Sequence, residues 1–238
     1  MTGAQRVAAL TVFFPAFNEE AIIEKTVTDA ARIASTLADD YEIVVVDDGS
    51  SDKTASVVER LAGADPHIRL ERHDRNRGYG AALRTGFASA RKDLVFFSDA
   101  DAQFDLRELP LLLAMLPDAP VVVGYRIRRN DPPHRLFIAK TYNFIVRAVF
   151  GLRVRDIDCA FKLFRRDSLS MVQLESDGAF ISSELLIKLR RAGVPIAEHG
   201  VHHYPRTTGY SKGAGIAVIL KTIRDIIRLR LGQPLKES

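Results

Sequence analysis

The chain has one cysteine, no tryptophan and no apolar run long enough to cross a bilayer. A lone thiol, Cys159, excludes an internal disulfide framework and suits a reducing compartment. A membrane-spanning helix needs about 18 or more consecutive apolar residues. None occurs. The opening MTGAQRVAAL lacks the basic start and apolar stretch of a secretory signal, so a cytoplasmic protein is expected. Zinc-finger spacings and RNA-binding aromatic motifs are also missing, which sets nucleic acid aside as a partner. The first apolar run leads into PAFNEE rather than Gly-x-Gly-x-x-Gly, and no Gly-x-x-x-x-Gly-Lys-Ser/Thr is found. Nicotinamide-dinucleotide and P-loop chemistries are therefore not indicated.

What remains is an ordinary globular composition: 238 residues, 47% hydrophobic and 27% charged, enough for one substantial core. The net charge of +4 hides an asymmetry. Residues 1–119 hold 13 basic and 20 acidic side chains, while residues 120–238 hold 21 and 10. An acidic half suits a metal ion, and a basic half suits phosphates or an anionic membrane.

Apolar runs rich in β-branched residues alternate with amphipathic stretches. Strands are expected at Val7–Phe14, Glu42–Asp47, Ile68–His73, Leu94–Asp99 and Pro120–Tyr125, and helices at Glu19–Leu37, Ser51–Ala62, Gly80–Ala90 and Leu106–Leu116. This alternation predicts an α/β fold, a mostly parallel sheet flanked by helices. Ligands of such sheets sit beyond the carboxyl ends of the strands. PAFNEE, DDGSSDKT, RNRGYG and SDADAQFD each follow a strand, so four polar loops fall at one edge.

The stretch LVFFSDADAQFDL gathers Asp99, Asp101, Gln103 and Asp105 directly after an apolar run. Like charges held close repel unless a cation, a proton or open solvent relieves them. A solvated turn with a helix cap explains the composition equally well, and Asp105 is placed to cap a helix at Leu106.

In order, VFFPAFNEEAII, VVVDDGSSDKT, NRGYGAALRTGF, DADAQFD, DIDCAFKLFRRD and HHYPRTTGYSKG resemble the family 2 glycosyltransferases of the GT-A fold. The last two are similar to the dolichyl- and polyprenyl-phosphate mannose and glucose synthases. The likeness runs from about Val7 to Lys212, implying a catalytic domain over 1–212 and a C-terminal amphipathic helix and tail over 213–238.

The resemblance implies a hexose transferred from a nucleotide sugar, GDP-mannose or UDP-glucose, to a polyprenyl phosphate with inversion. Asp99 and Asp101, with Gln103 close by, would hold a divalent cation, Mg2+ or Mn2+, against the diphosphate. Pro15, Phe17, Asn18, Glu19, Asp47 and Asp48 would line the base and ribose pocket. Glu20 is read only as an acid of the first helical turn. Arg206, Ser211 and Lys212 would belong to a loop closing on the diphosphate. Arg126 and Arg135 would meet the acceptor phosphate; Asp156, Asp158 and Glu184 are acids near the acceptor side, of which Asp158 best matches a family position and is the catalytic candidate.

Arg128 and Arg129 read as a solvated charge run. His202 and His203 read as strand termini, since adjacent strand residues face opposite ways. Two other readings stay open: transfer to a glycan or small-molecule hydroxyl with Asp158 or Glu184 as base, and a non-catalytic nucleotide-sugar-binding subunit.

The lipid acceptor raises the question of how the chain meets a membrane. Ile216, Ile219, Leu220, Ile223, Ile226, Ile227 and Leu231 recur at helical spacing, with Lys221, Arg224 and Arg228 on another stripe. Phe137–Val154 is similarly apolar with interleaved bases. Both stretches suit core packing, and equally a peripheral protein on the cytoplasmic leaflet, beside a separate membrane subunit.

Overall fold

The structure is a computed structural model that describes residues 6–128, 133–206 and 216–235, with 133–135 and 216–219 described by backbone alone. Seven strands form one sheet: β1 (Val7–Ala16), β2 (Ala38–Asp47), β3 (Ile68–Arg72), β4 (Leu94–Ser98), β5 (Val121–Arg126), β6 (Phe161–Arg165) and β7 (Ile196–Val201). Their order is β3-β2-β1-β4-β6-β5-β7, and β6 alone runs antiparallel to its neighbours. The helices are α1 (Ile23–Leu37), α2 (Thr54–Ala64), α3 (Tyr79–Ser89), α4 (Leu109–Leu113), α5 (Pro133–Phe150), α6 (Arg166–Ser170), α7 (Ile181–Arg191) and α8 (Ile216–Arg230).

The expected α/β architecture is present. β6 is an addition, because DIDCAFKLFRRD reads as a motif rather than a strand. Its reversed direction has a consequence for function. The carboxyl ends of β1 to β5 and β7 and the amino end of β6 all fall at one edge of the sheet. The described loops that carry Asn18, Asp47, Asp99 and Asp101 follow strands at that edge.

The helix starts differ from expectation for a local reason. α1 begins at Ile23 rather than Glu19, because residues 18–20 bond sideways to the loop after β2. The expected helix at Leu106 opens as a 3₁₀ turn, Leu106–Glu108, before α4. Asp105 caps that turn as expected, accepting from the Arg107 N–H. No described helix is long and apolar enough to cross a membrane.

α8 splits its apolar stripe. Ile226 and Leu229 enter the common core, whereas Leu220, Ile223, Ile227 and Leu231 stay exposed. The side chains of Ile216 and Ile219 lie outside the described residues. α5 touches α8 and also exposes large apolar groups, with Phe137 at 72% and Phe144 at 71%.

Candidate active site

The donor side is built from two loops joined by hydrogen bonds. Asn18 adopts φ +58°, a left-handed conformation that Asn tolerates better than most residues. Its backbone N–H donates to Ser50 Oγ, and its side-chain Oδ1 accepts from the Ser51 N–H at 2.8 Å. The Glu19 N–H donates to Thr54 Oγ1, and Glu20 Oε2 accepts from the Lys53 N–H at 2.7 Å. Glu20 is therefore a tie between loops, not an acid of the first turn of α1. Asn18 uses its oxygen in the same way. Pro15 is buried at the end of β1 and Phe17 half-buried just beyond it.

Asp47 ends β2, Asp48 follows it, and the two side chains point differently. Asp47 Oδ1 accepts from the Ser50 N–H, while buried Oδ2 has no hydrogen bond among the described residues and faces the Arg72 guanidinium at 3.6 Å. Asp48 turns inward. It accepts from the N–H groups of Arg77 and Gly78, both at 2.9 Å, and faces His73 Nδ1 at 2.7 Å. Asp48 thus holds the β3–α3 loop in place.

Asp99 and Asp101 follow β4 on a strained loop, with Ala102 at φ +56°. Asp101 Oδ1 accepts from the Gln103 N–H, and the Gln103 amide donates to the Tyr204 carbonyl at 2.9 Å, leaving its own Oε1. Burial, followed by repulsion from Asp101, pushes the Asp99 carboxyl up to about 7. Burial raises Asp101 as well.

Two residues whose roles the sequence does not show attend the pair. Tyr79 donates its hydroxyl to Asp99 Oδ1 at 3.0 Å, and burial together with that carboxylate keeps the phenol protonated. Lys162, wholly buried on β6, sends its ammonium to the Cys159 carbonyl and lies 5.4 Å from the Phe97 ring centre. Desolvation lowers its pKa, and its field reaches Asp99. Tyr79 stands inside RNRGYG, where the glycines draw the attention.

Arg206 bridges the donor loops. It donates to both Glu19 oxygens, at 2.5 and 2.7 Å, and approaches Asp101 Oδ2 at 3.4 Å. Ser211 and Lys212 lie outside the described residues, as does the Arg135 side chain.

The basic side begins at Arg126. Its guanidinium makes a bidentate pair with buried Asp156, at 2.6 and 2.7 Å. With Lys140, Arg147 and Arg155 it lines a pocket of about 360 Å³ that Tyr125 and Phe144 complete. Asp158 is half-buried in the turn leading to β6, and its charge acts on Tyr79. Cys159 is a buried thiol pushed up to about 12 by burial and then Asp156.

Glu184 is corrected outright. It is fully buried on α7, accepts from the N–H groups of Glu175 and Ser176, and pairs with Lys188. A carboxylate satisfied in that way has no route to an acceptor proton. His202 bonds Glu108 while His203 packs on Phe104, so the two rings diverge.

The residues present fit a hard divalent cation. Among the described residues no three His, Cys, Asp or Glu side chains form a metal cluster. The chain instead offers two neighbouring carboxylates that burial raises above the usual carboxylate range, with repulsion from Asp101 adding to the rise at Asp99. Magnesium is commonly held by one or two carboxylates with substrate phosphates completing the shell.

Glycosyltransferase AglD of Haloferax volcanii is 31% identical over 212 residues, covering 83% of this chain and 33% of that protein. An undecaprenyl-phosphate 4-deoxy-4-formamido-L-arabinose transferase of Shewanella sediminis is 29% identical over 236 residues, covering 98% and 70%. The chain spans a third of the first relative's length and 70% of the second's. Glucosyl-3-phosphoglycerate synthase from Mycobacterium tuberculosis, solved with Mn2+, uridine diphosphate and glucosyl-3-phosphoglycerate, superposes with a TM-score of 0.71 at 22% identity, covering 95% of this chain and 81% of that one. That likeness shows the GT-A fold. Residues 11–172, well over half of the chain, match the profile described as Glycosyl transferase family 2, and this protein belongs to that family as a glycosyltransferase.

Proposed function

We propose that this glycosyltransferase moves a hexose from a nucleotide sugar, GDP-mannose or UDP-glucose, to a polyprenyl phosphate with inversion. The observation that carries the reading is the basic pocket of Arg126, Lys140, Arg147 and Arg155, which opens where α5 exposes its apolar face. A pocket with four cations and one carboxylate suits a phosphate, and the exposed Phe144 at its rim suits an isoprenoid chain. The Shewanella sediminis relative is named for transfer to undecaprenyl phosphate.

On this reading Asp47 Oδ2 receives an N–H of the base, the hydrogen bond that oxygen lacks. Arg206, poised between Glu19 and Asp101, faces the diphosphate. Asp99 and Asp101, with Gln103 Oε1, would hold Mg2+ or Mn2+, which would supply positive charge against the departing diphosphate. Tyr79 fixes the rotamer of Asp99.

An acceptor phosphate oxygen attacks the anomeric carbon as the bond to the diphosphate breaks, and the electron pair leaves with the nucleoside diphosphate. The attacking oxygen is already anionic near neutral pH, so no strong base is required. Asp158 is then an electrostatic neighbour of the reacting sugar, whose transition state has oxocarbenium character.

Incubation with polyprenyl phosphate and labelled GDP-mannose or UDP-glucose should give labelled lipid that organic solvent extracts. Label reaching only a soluble hydroxyl acceptor, or no lipid product from any common donor, would reject the lipid acceptor.

We further propose a peripheral location on the cytoplasmic leaflet, beside a separate membrane subunit. The exposed apolar groups of α5 and α8 lie against the bilayer, and Lys140, Arg147 and Lys221 meet anionic headgroups. Phe137→Ser/Phe144→Ser should lower co-sedimentation with anionic vesicles severalfold. Equal sedimentation of variant and parent would place that face elsewhere.

A further inference from the structure

A second concentration of charge lies apart from the cleft of Asp99 and Asp101. The β3–α3 loop, the segment before α7 and α8 enclose a cavity of about 450 Å³. Arg75, Arg77, Arg84, Lys221 and Arg224 line it, against two acids, Asp177 and Asp225. Ligand pockets commonly span roughly 300–1,000 Å³.

Its walls are fixed by the fold. Arg84 donates to the Glu175 and Ser176 carbonyls and pairs with Asp177, which binds the segment before α7 to α3. α8 is pinned by buried Ile226 and Leu229, and the Leu235 N–H donates to Glu175 Oε2 at 2.9 Å. The Arg77 and Gly78 N–H groups are held by Asp48.

Two of the cations on this frame are not consumed by it. The side chains of Arg75 and Arg77 make no hydrogen bond or ion pair among the described residues. Like charges brought together at Arg75, Arg77 and Lys221 repel one another, and an anion between them removes that repulsion.

The lining also holds the opposite need. Asp225 is 2% exposed, and its Oδ1 has no hydrogen bond among the described residues; Arg224 Nε stands off at 3.9 Å. A buried acceptor in that state calls for a donor. The complement is one molecule that carries an anionic phosphate and, a few atoms away, a hydroxyl. A glycerol phosphodiester has both.

We propose that this cavity is a second anion site, taking the phosphate and hydroxyls of a glycerol-bearing lipid headgroup. The inference rests on the membrane placement of α8 proposed above. Leu220 and Ile223, both exposed, flank Lys221 and Arg224 along that helix, so a helix lying on the bilayer brings the cavity to headgroup depth. The site would anchor the protein next to the loop that Asp48 holds, and so fix the donor side relative to the lipid surface.

The test uses the full chain and phosphatidylcholine vesicles doped with either phosphatidylglycerol or phosphatidylmethanol, which carry the same charge but differ in hydroxyls. The parent should bind the phosphatidylglycerol vesicles more tightly. Arg75→Gln/Arg77→Gln should weaken that binding roughly 30-fold, at roughly fivefold per cation. Asp225→Leu should erase the preference between the two lipids. Should that buried variant misfold, the loop variant still decides, since Arg75 and Arg77 are exposed.

Equal binding of both lipids by the parent, or an unchanged Arg75→Gln/Arg77→Gln variant, would overturn the site while leaving the membrane placement standing. No sedimentation of the parent with any vesicle would overturn both. Titration with free glycerol 3-phosphate separates the sources: tight binding that Arg75→Gln/Arg77→Gln abolishes, with vesicle binding unaltered, would reject the lipid headgroup.

Discussion

Asp99→Asn is expected to lower transfer by roughly two to three orders of magnitude and, without divalent cation at pH 8, to make the protein melt higher. The two effects share one cause. Burial and the neighbouring Asp101 raise the Asp99 carboxyl from 3.8 to about 7. For an acid this sign means that folding disfavours the charged form. The cost begins above the unfolded value near 3.8, grows until the pH passes about 7, and is then constant.

At pH 8 it amounts to roughly 4 kcal/mol, or roughly 9–18 °C in melting temperature for a chain of this size. Asn keeps the shape and the Tyr79 contact but removes the charge. At pH 4 the two proteins should melt alike, because the carboxyl is then largely protonated in the fold. Mg2+ or Mn2+ at pH 8 should raise the parent and leave the variant unmoved. Losses of this size on removing a preorganised electrostatic group are ordinary in enzymes. An active Asp99→Asn enzyme would reject the cation assignment; a variant that melts no higher than the parent at pH 8 would reject the account of Asp99 as a stored electrostatic strain.

The positions of most strands and of the site loops are legible in the sequence because they depend on local pattern. A run of β-branched residues such as Ile43–Val46 belongs in a sheet buried on both faces. What the pattern leaves out depends on contacts distant in sequence. Asn18 and Glu20 bond to residues 33 positions away, which no local pattern reveals. Asp47 and Asp48 are chemically identical in sequence. Only the fold separates the one whose Oδ2 lacks a hydrogen bond among the described residues from the one that anchors Arg77 and Gly78.

β6 escapes the pattern for an energetic reason. It carries Lys162, and burying an ammonium is costly enough to argue against a core strand. The structure meets part of that cost with the Cys159 carbonyl, the Phe97 ring and the field of Asp99, Asp156 and Asp158. The same carboxylates belong to the site. A sequence rule that expects apolar strands therefore fails where the sheet passes beneath charged chemistry.

Arg126→Ala is expected to cost stability before it reveals anything about the acceptor. The sequence suggests a basic residue free to meet phosphate, so its removal should weaken only the acceptor side. The structure gives Arg126 a second duty, since its side chain is 11% exposed and that of Asp156 9%, in a bidentate pair. Truncating one member takes the bidentate partner from a buried carboxylate, and breaking such a pair typically costs roughly 3–5 kcal/mol. For a chain of this length that is roughly 6–20 °C of melting temperature. Arg126→Ala/Asp156→Asn removes the stranded charge and should recover much of the loss. Thermal melts of parent, single and double variants measure this directly. With the fold restored, the double variant isolates the role at the pocket: KM for polyprenyl phosphate should remain raised while nucleotide-sugar affinity returns to that of the parent. A double variant with normal acceptor kinetics would make Arg126 a structural partner of Asp156 and leave phosphate recognition to Lys140, Arg147 and Arg155, the other cations of the pocket.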